Sequence, residues 1–272
     1  MTSRILTGAG LLALLLVALY FGGLVFSLLW IACVCIALFE VFHTLSHAGH
    51  RPAAWPTWAA LFIAIPGFLL LTEIGGLLLL VILVVVTLFL TTVLVMFRDQ
   101  PKLEDLLMSV LPLFAVAMPG MSLLGMTRIS PLASQRIFLA LAFFIPVMGD
   151  SLAFFIGSTF GKVKLNPQVS PNKTVEGAVA GLIGSIIAAC AIYLIGSAFR
   201  APMPAFYHFL IIGLLGGIAG QIGDLFASLV KRHCKVKDFG HIFPGHGGMM
   251  DRLDSILFAG SLIYLYQALP MM

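Results

Sequence analysis

The chain has 272 residues, of which 61% are hydrophobic and only 10% charged. A soluble domain carries about 25% charged residues, so a soluble enzyme, a secreted disulfide scaffold and a disordered protein are all excluded. The net charge of +4 calls for no nucleic acid partner, because an excess of Lys and Arg on the cytoplasmic side of a membrane protein accounts for it.

Continuous apolar runs recur near 5–21, 23–40, 57–73, 76–97, 106–125, 137–160, 177–199, 207–231 and 255–270. Runs of this kind suit the crossing of a hydrocarbon layer about 30 Å thick, and they lack the period-2 alternation of a β-barrel. The expected fold is an all-α polytopic membrane protein with about nine transmembrane helices. The first two runs are separated only by Gly22-Gly23, yet a single helix over 5–40 would be about 54 Å long, so they count as two. The first run lacks a small-residue cleavage site and reads as a membrane anchor. The third is short and carries Pro66. Cys33, Cys35 and Cys190 sit in apolar runs as packing residues, whereas Cys234, in a basic loop, is a candidate reactive thiol.

Nine spans would place 12 of the 15 Lys and Arg residues on the side of the N-terminus and 3 on the other. That asymmetry predicts a cytoplasmic N-terminus in the inner cell membrane. No internal repeat divides the chain, so 1–272 reads as one membrane domain. Within it, 1–135 supplies hydrophobic spans and 136–272 carries the motifs. Residues 1–100 have two readings, a lipid-facing wall or the contact of a homodimer.

Charge is scarce, so its clustering is informative. Residues 231–254 hold Lys231, Arg232, Lys235, Lys237, Asp238, Asp251, Arg252 and Asp254, together with His233, His241 and His246. Pro244-Gly245-His246-Gly247-Gly248 in the same loop is a run that lets backbone N–H groups approach an anion. Asp150 and Asp224 fall inside apolar spans, where a carboxylate costs several kcal/mol unless it is paired or faces water. Gln221, Asp224, Ser228 and Lys231 recur at helical spacing and form one polar stripe. In Ser170-Pro171-Asn172-Lys173-Thr174-Val175-Glu176-Gly177, Ser170 reads as a helix N-cap and Pro171 as the first helical residue, which puts Lys173 in the first turn. A lysine there opposes the helix dipole, and an anionic ligand would explain it. Gly157 and Gly161 read as close-packing positions. Glu40, His43, His47 and His50 have spacing that would suit a zinc site, although histidines at a membrane boundary are commonly interfacial. Carboxylates beside Lys and Arg at a membrane surface suit phosphoryl or nucleotidyl transfer with a divalent metal.

The C-terminal motif reads Ser228-x-Val230-Lys231-Arg232, four residues, Lys237-Asp238-x-Gly240, then Phe243-Pro244-x-His246-Gly247-Gly248-Met249-x-Asp251-Arg252-Leu253-Asp254. These residues, with Ser-Pro-x-Lys-Thr-x-Glu-Gly at 170–177, resemble the phosphatidate cytidylyltransferase (CDP-diacylglycerol synthase) family over roughly 145–254. The resemblance implies that CTP and phosphatidate give CDP-diacylglycerol and diphosphate with Mg²⁺, at the bilayer and on its cytoplasmic side. By resemblance Asp224 and Asp251 would hold the metal, with Asp150 a further candidate. Lys173, Lys231, Arg232, Lys237 and Arg252 would grip phosphates, and Gly247-Gly248 would approach the triphosphate. Ser170, Asp238, His246 and Asp254 complete the expected substrate contacts. Two other readings stay open: an ion-coupled carrier using Asp150 and Asp224, and a CTP-dependent lipid kinase.

Overall fold

A computed structural model describes residues 2–71, 73–243 and 245–268, and Pro244 of the glycine-rich loop lies outside them. The chain runs through α1 (Thr2–Phe21), α2 (Gly23–His47), α3 (Trp55–Leu70) and α4 (Glu73–Met96). The break between α1 and α2 falls at Gly22, whose φ of +59° suits glycine and ends the first helix. Then α5 (Leu103–Pro112) passes through a π-helical turn at Leu113–Ala117 into α6 (Met118–Met126), all within one expected span. Pro112 has no N–H to give to the ladder, and the wider turn follows it directly.

The second half begins with α7 (Leu132–Phe160). A short antiparallel hairpin follows, β1 (Lys164–Asn166) with β2 (Ser170–Thr174), and then α8 (Val175–Ala198), α9 (Phe206–His233) and α10 (Met250–Ala268). The hairpin corrects one sequence expectation. Ser170 does not cap a helix; it pairs with Asn166 as a strand residue. The cap is Thr174, whose hydroxyl accepts the Gly177 N–H at 3.1 Å, so Lys173 sits on the strand and not in the first turn.

Six helical segments among the described residues are long and apolar enough to cross a membrane: Gly23–His47, Leu78–Met96, Leu103–Met126, Leu132–Phe160, Val175–Ala198 and Phe206–His233. Gly8–Phe21 and Trp55–Phe68 are apolar but shorter. On α4, Val81, Ile82, Val85 and Phe89 are exposed, as suits side chains that face lipid.

The helices that carry charge pack α7 on α8, α8 on α9 and α9 on α10, with α2 and α6 against α10. Small residues set these approaches, as is usual where lipid supplies no hydrophobic drive for helices to associate. A Cβ on Gly177 would lie 2.8 Å from the Ala153 carbonyl and 3.1 Å from the Gly157 Cα, and one on Gly217 would lie 2.6 Å from the Ser185 hydroxyl. Replacement of Gly177 by Val is therefore expected to force α7 from α8, at a cost of about 1–3 kcal/mol. Its melting temperature in detergent should fall clearly, whereas Gly10→Ala, with no atom within 4 Å of the new Cβ, should leave it within error of wild type.

Candidate active site

At one end of this bundle α7, α8, α9, the hairpin and the segment leading into α10 enclose a cavity of about 720 Å³. Helix α7 contributes Asp150 and Gly157, and the hairpin contributes Lys164, Asn172 and Lys173. The expected stripe on α9 turns Gln221, Asp224 and Lys231 toward the same space. Asp238 enters from the loop, and α10 presents Asp251, Arg252 and Asp254 one turn apart.

Two ion pairs stitch these elements together. Lys173 on β2 contacts the Asp224 carboxylate, and Gln221 fixes the neighbouring turn of α9 by donating to the Ala178 carbonyl at 2.9 Å. Lys231 reaches Asp251 at 2.8 Å, and its ammonium also lies over the Phe239 ring at 5.5 Å. Asp251 is the most heavily engaged carboxylate. Its other oxygen accepts the N–H groups of Phe239 at 2.8 Å and Gly248 at 3.0 Å, and its side chain is only 3% exposed.

Asp150 and Asp254 are differently placed. Among the described residues no ammonium or guanidinium lies in ion-pair contact with either. The Ser255 hydroxyl stands 3.4 Å from each of them, and its single proton can serve only one at a time. Asp150, Asp224 and Asp254 line one cavity at the edge of an apolar bundle, which favours a cation between them, and their oxygen-only donor set is the kind a hard divalent ion prefers. No three His, Cys, Asp or Glu side chains among the described residues yet share one ligating point. Instead the ammonium groups of Lys173 and Lys231 occupy cation positions beside Asp224 and Asp251.

The expected residues thus divide. Asp150, Lys173, Asp224, Lys231, Asp238, Asp251, Arg252 and Asp254 meet at the cavity. Ser170, Arg232, Lys237, His246, Gly247 and Gly248 are not among its walls. The Arg232 guanidinium turns to the Val169 carbonyl at 3.4 Å and ties the end of α9 to the hairpin. Lys237 is exposed, and the Gly248 N–H, expected to face an anionic ligand, is spent on Asp251. Gly157 and Gly161 pack closely as expected, but they also line the cavity. His43 and His47 are exposed, while Glu40 is buried on backbone donors, so the zinc reading has no common site. Cys234 is buried, and burial pushes its thiol up from the usual range, away from reactivity.

Neutralising the two kinds of carboxylate should therefore act in opposite directions. Asp251→Asn loses an ion pair and sets an amide against two N–H donors, so it is expected to cost about 2–3 kcal/mol and to lower the melting temperature. Asp150→Asn neutralises a carboxylate that has no ion-pair partner among the described residues and should leave the melting temperature unchanged or higher. Thermal melts of both variants in one detergent check the sign.

The Cytidylyltransferase family model matches residues 2–269. A phosphatidate cytidylyltransferase of Bacillus subtilis strain 168 is 46% identical over 120 residues, 44% of this chain and 43% of that protein. Proteins of the same name from Staphylococcus saprophyticus and Thermotoga maritima are 44% identical over 126 residues and 38% over 117, covering 46% and 43% of this chain and 47% and 43% of theirs. The chain thus aligns with less than half the length of each of these relatives. With the family model spanning nearly every residue and the charged motifs gathered at one cavity, the chain belongs to the cytidylyltransferase family.

Proposed function

We propose that this chain is a phosphatidate cytidylyltransferase, which makes CDP-diacylglycerol and diphosphate from CTP and phosphatidate in the inner cell membrane, with its cavity facing the cytoplasm. The observation that carries the reading is one cavity in which five carboxylates and four Lys or Arg side chains converge at the end of an apolar bundle. Lipid has access along the exposed apolar helices. Most Lys and Arg residues fall in segments assigned to the cavity side, the side on which CTP is available.

The lipid phosphate is already anionic near neutral pH, so one of its oxygens attacks the α-phosphorus of CTP without a strong base. The new P–O bond forms as the bond from the α-phosphorus to the bridging oxygen breaks, and diphosphate leaves with the electron pair. Positioning and charge neutralisation then supply most of the rate. Lys173, Lys231 and Arg252 bind phosphate oxygens. Lys173 and Lys231 leave their aspartates as they do so, and Asp224 and Asp251, with Asp150 alongside, are the residues that would hold Mg²⁺. Bound Mg²⁺ supplies Lewis-acid charge neutralisation at the phosphates. The Ser255 hydroxyl, which donates to Asp150 at 3.4 Å, keeps it oriented.

Purified protein in detergent, given CTP, phosphatidate and Mg²⁺, should release diphosphate only when phosphatidate is present. Chelation should abolish release and added Mg²⁺ should restore it. Asp224→Asn should lower kcat by about 100-fold or more. Release of CDP in place of diphosphate would assign a lipid kinase instead, and no nucleotide turnover with any lipid would overturn the enzymatic reading.

A further inference from the structure

Glu40 interrupts the apolar run of α2 far from the charged motifs in sequence, and its side chain is 5% exposed. Each of its oxygens accepts one backbone donor, the Met249 N–H at 3.0 Å and the Met250 N–H at 2.9 Å. These amides open α10, where the first-turn N–H groups have no acceptor inside the helix and a negative charge meets the positive end of the dipole. One turn further along α2, the Thr44 hydroxyl donates to the Phe239 carbonyl at 3.2 Å, and the N–H of Phe239 goes to Asp251. Helix α2 thus grips the loop at 239 and again at 249–250, on either side of the glycine-rich turn.

The loop has been left open for this carboxylate. A Cβ on Gly248 would stand 2.5 Å from both Glu40 oxygens, and one on Gly240 would strike Oε1. Glutamine would fill the same space, yet it offers one acceptor oxygen and turns an NH₂ donor against the second backbone N–H. The site therefore asks for two acceptor oxygens and not merely for bulk.

We infer that Glu40 is a positioning residue for nucleotidyl transfer: from α2 it fixes the loop at 239–249 and the start of α10, and so the placement of Asp251, Arg252 and Asp254 in the cavity. The inference rests on the cytidylyltransferase reading for its chemistry and on the hydrogen bonds alone for its anchoring. Full-length wild type, Glu40→Gln, Thr44→Val and His43→Ala would be compared in detergent by hydrogen exchange, thermal melting and steady-state kinetics. His43 is exposed on the same helix and serves as the control. In Glu40→Gln, amides of 238–251 should exchange about tenfold faster or more, with the other helices as protected as in wild type. Its kcat should fall about tenfold or more while KM for CTP stays within about threefold. Thr44→Val should show the same pattern more weakly, and His43→Ala should match wild type. Gly248→Ala should lower the melting temperature sharply with Glu40 present and far less in the Glu40→Ala background, a non-additive pair. Wild-type exchange at 238–251 in Glu40→Gln, loosening spread evenly over all helices, additive melts, or an unchanged kcat with a loosened loop would each overturn the inference. A wild type that turns over no CTP would sink the reading of the reaction, and the exchange and melting results would still decide whether Glu40 anchors the loop.

Discussion

A carboxylate withdrawn from water among apolar helices must be met by donors or cations, and Asp251 is where this chain meets that demand most completely. One oxygen holds Lys231 and the other holds two backbone N–H groups. Those three partners come from α9 and from both sides of the loop between α9 and α10. Among its described residues the loop has almost no regular structure beyond a single bridge between Phe243 and Gly247, so these hydrogen bonds, with those from Glu40 and Thr44, give it its shape. Lys231 is brought to the cavity by the same contact. The site thus depends on a carboxylate whose first task is structural, and its neighbours inherit their geometry from it.

Much of the site was legible because charge is rare in an apolar chain. The stripe of Gln221, Asp224, Ser228 and Lys231 follows the helical period, and all four sit on one face of α9 as that period requires, with Ser228 3.5 Å from Asp224. Asp150 and Asp224 announced themselves by the cost of a carboxylate inside an apolar span. The hairpin was not legible in the same way. Ser170-Pro171 and Thr174-Val175 offer nearly the same capping chemistry four residues apart, and only the pairing of β2 with β1 decides that the second is the cap. The glycine-rich turn was misread for a different reason. Sequence tells that its amides can approach an anion but not which anion, and the nearest ones proved to be Asp251 and Glu40 of the same chain.

That pairing also changes the reading of the N-terminal half. Composition alone left residues 1–100 as a lipid-facing wall or a dimer contact. Helix α2 instead packs on α6 and α10 and buries Glu40 and Thr44 against the motif-bearing loop. The signal was present in Glu40, a charged residue inside an apolar run, but its spacing from three histidines drew attention to metal chemistry. Burial separates them: the carboxylate points into the bundle while His43 and His47 face outward. Helix α4, by contrast, keeps the character of a wall, with its apolar side chains exposed.

The charge balance of the cavity carries the last step. Five carboxylates and four cationic side chains line it, a formal charge of −1 if all are ionised. Such a lining can hold itself together without ligand because Lys173 and Lys231 each neutralise an aspartate. Under the proposed function it would not by itself neutralise a nucleoside triphosphate beside a lipid phosphate, since Lys173 or Lys231, drawn to a phosphate, leaves an aspartate bare. In the proposed reaction anions and divalent cations would therefore enter in compensating amounts, with Lys173 and Lys231 moving to phosphate and the metal taking their place on the aspartates. By linkage, each would then strengthen the binding of the other. A cavity built only of basic residues would bind the nucleotide without metal, and one built only of acids would bind metal without nucleotide. Their interleaving on α9, through Asp224 and Lys231, would tie the two together in the proposed reaction.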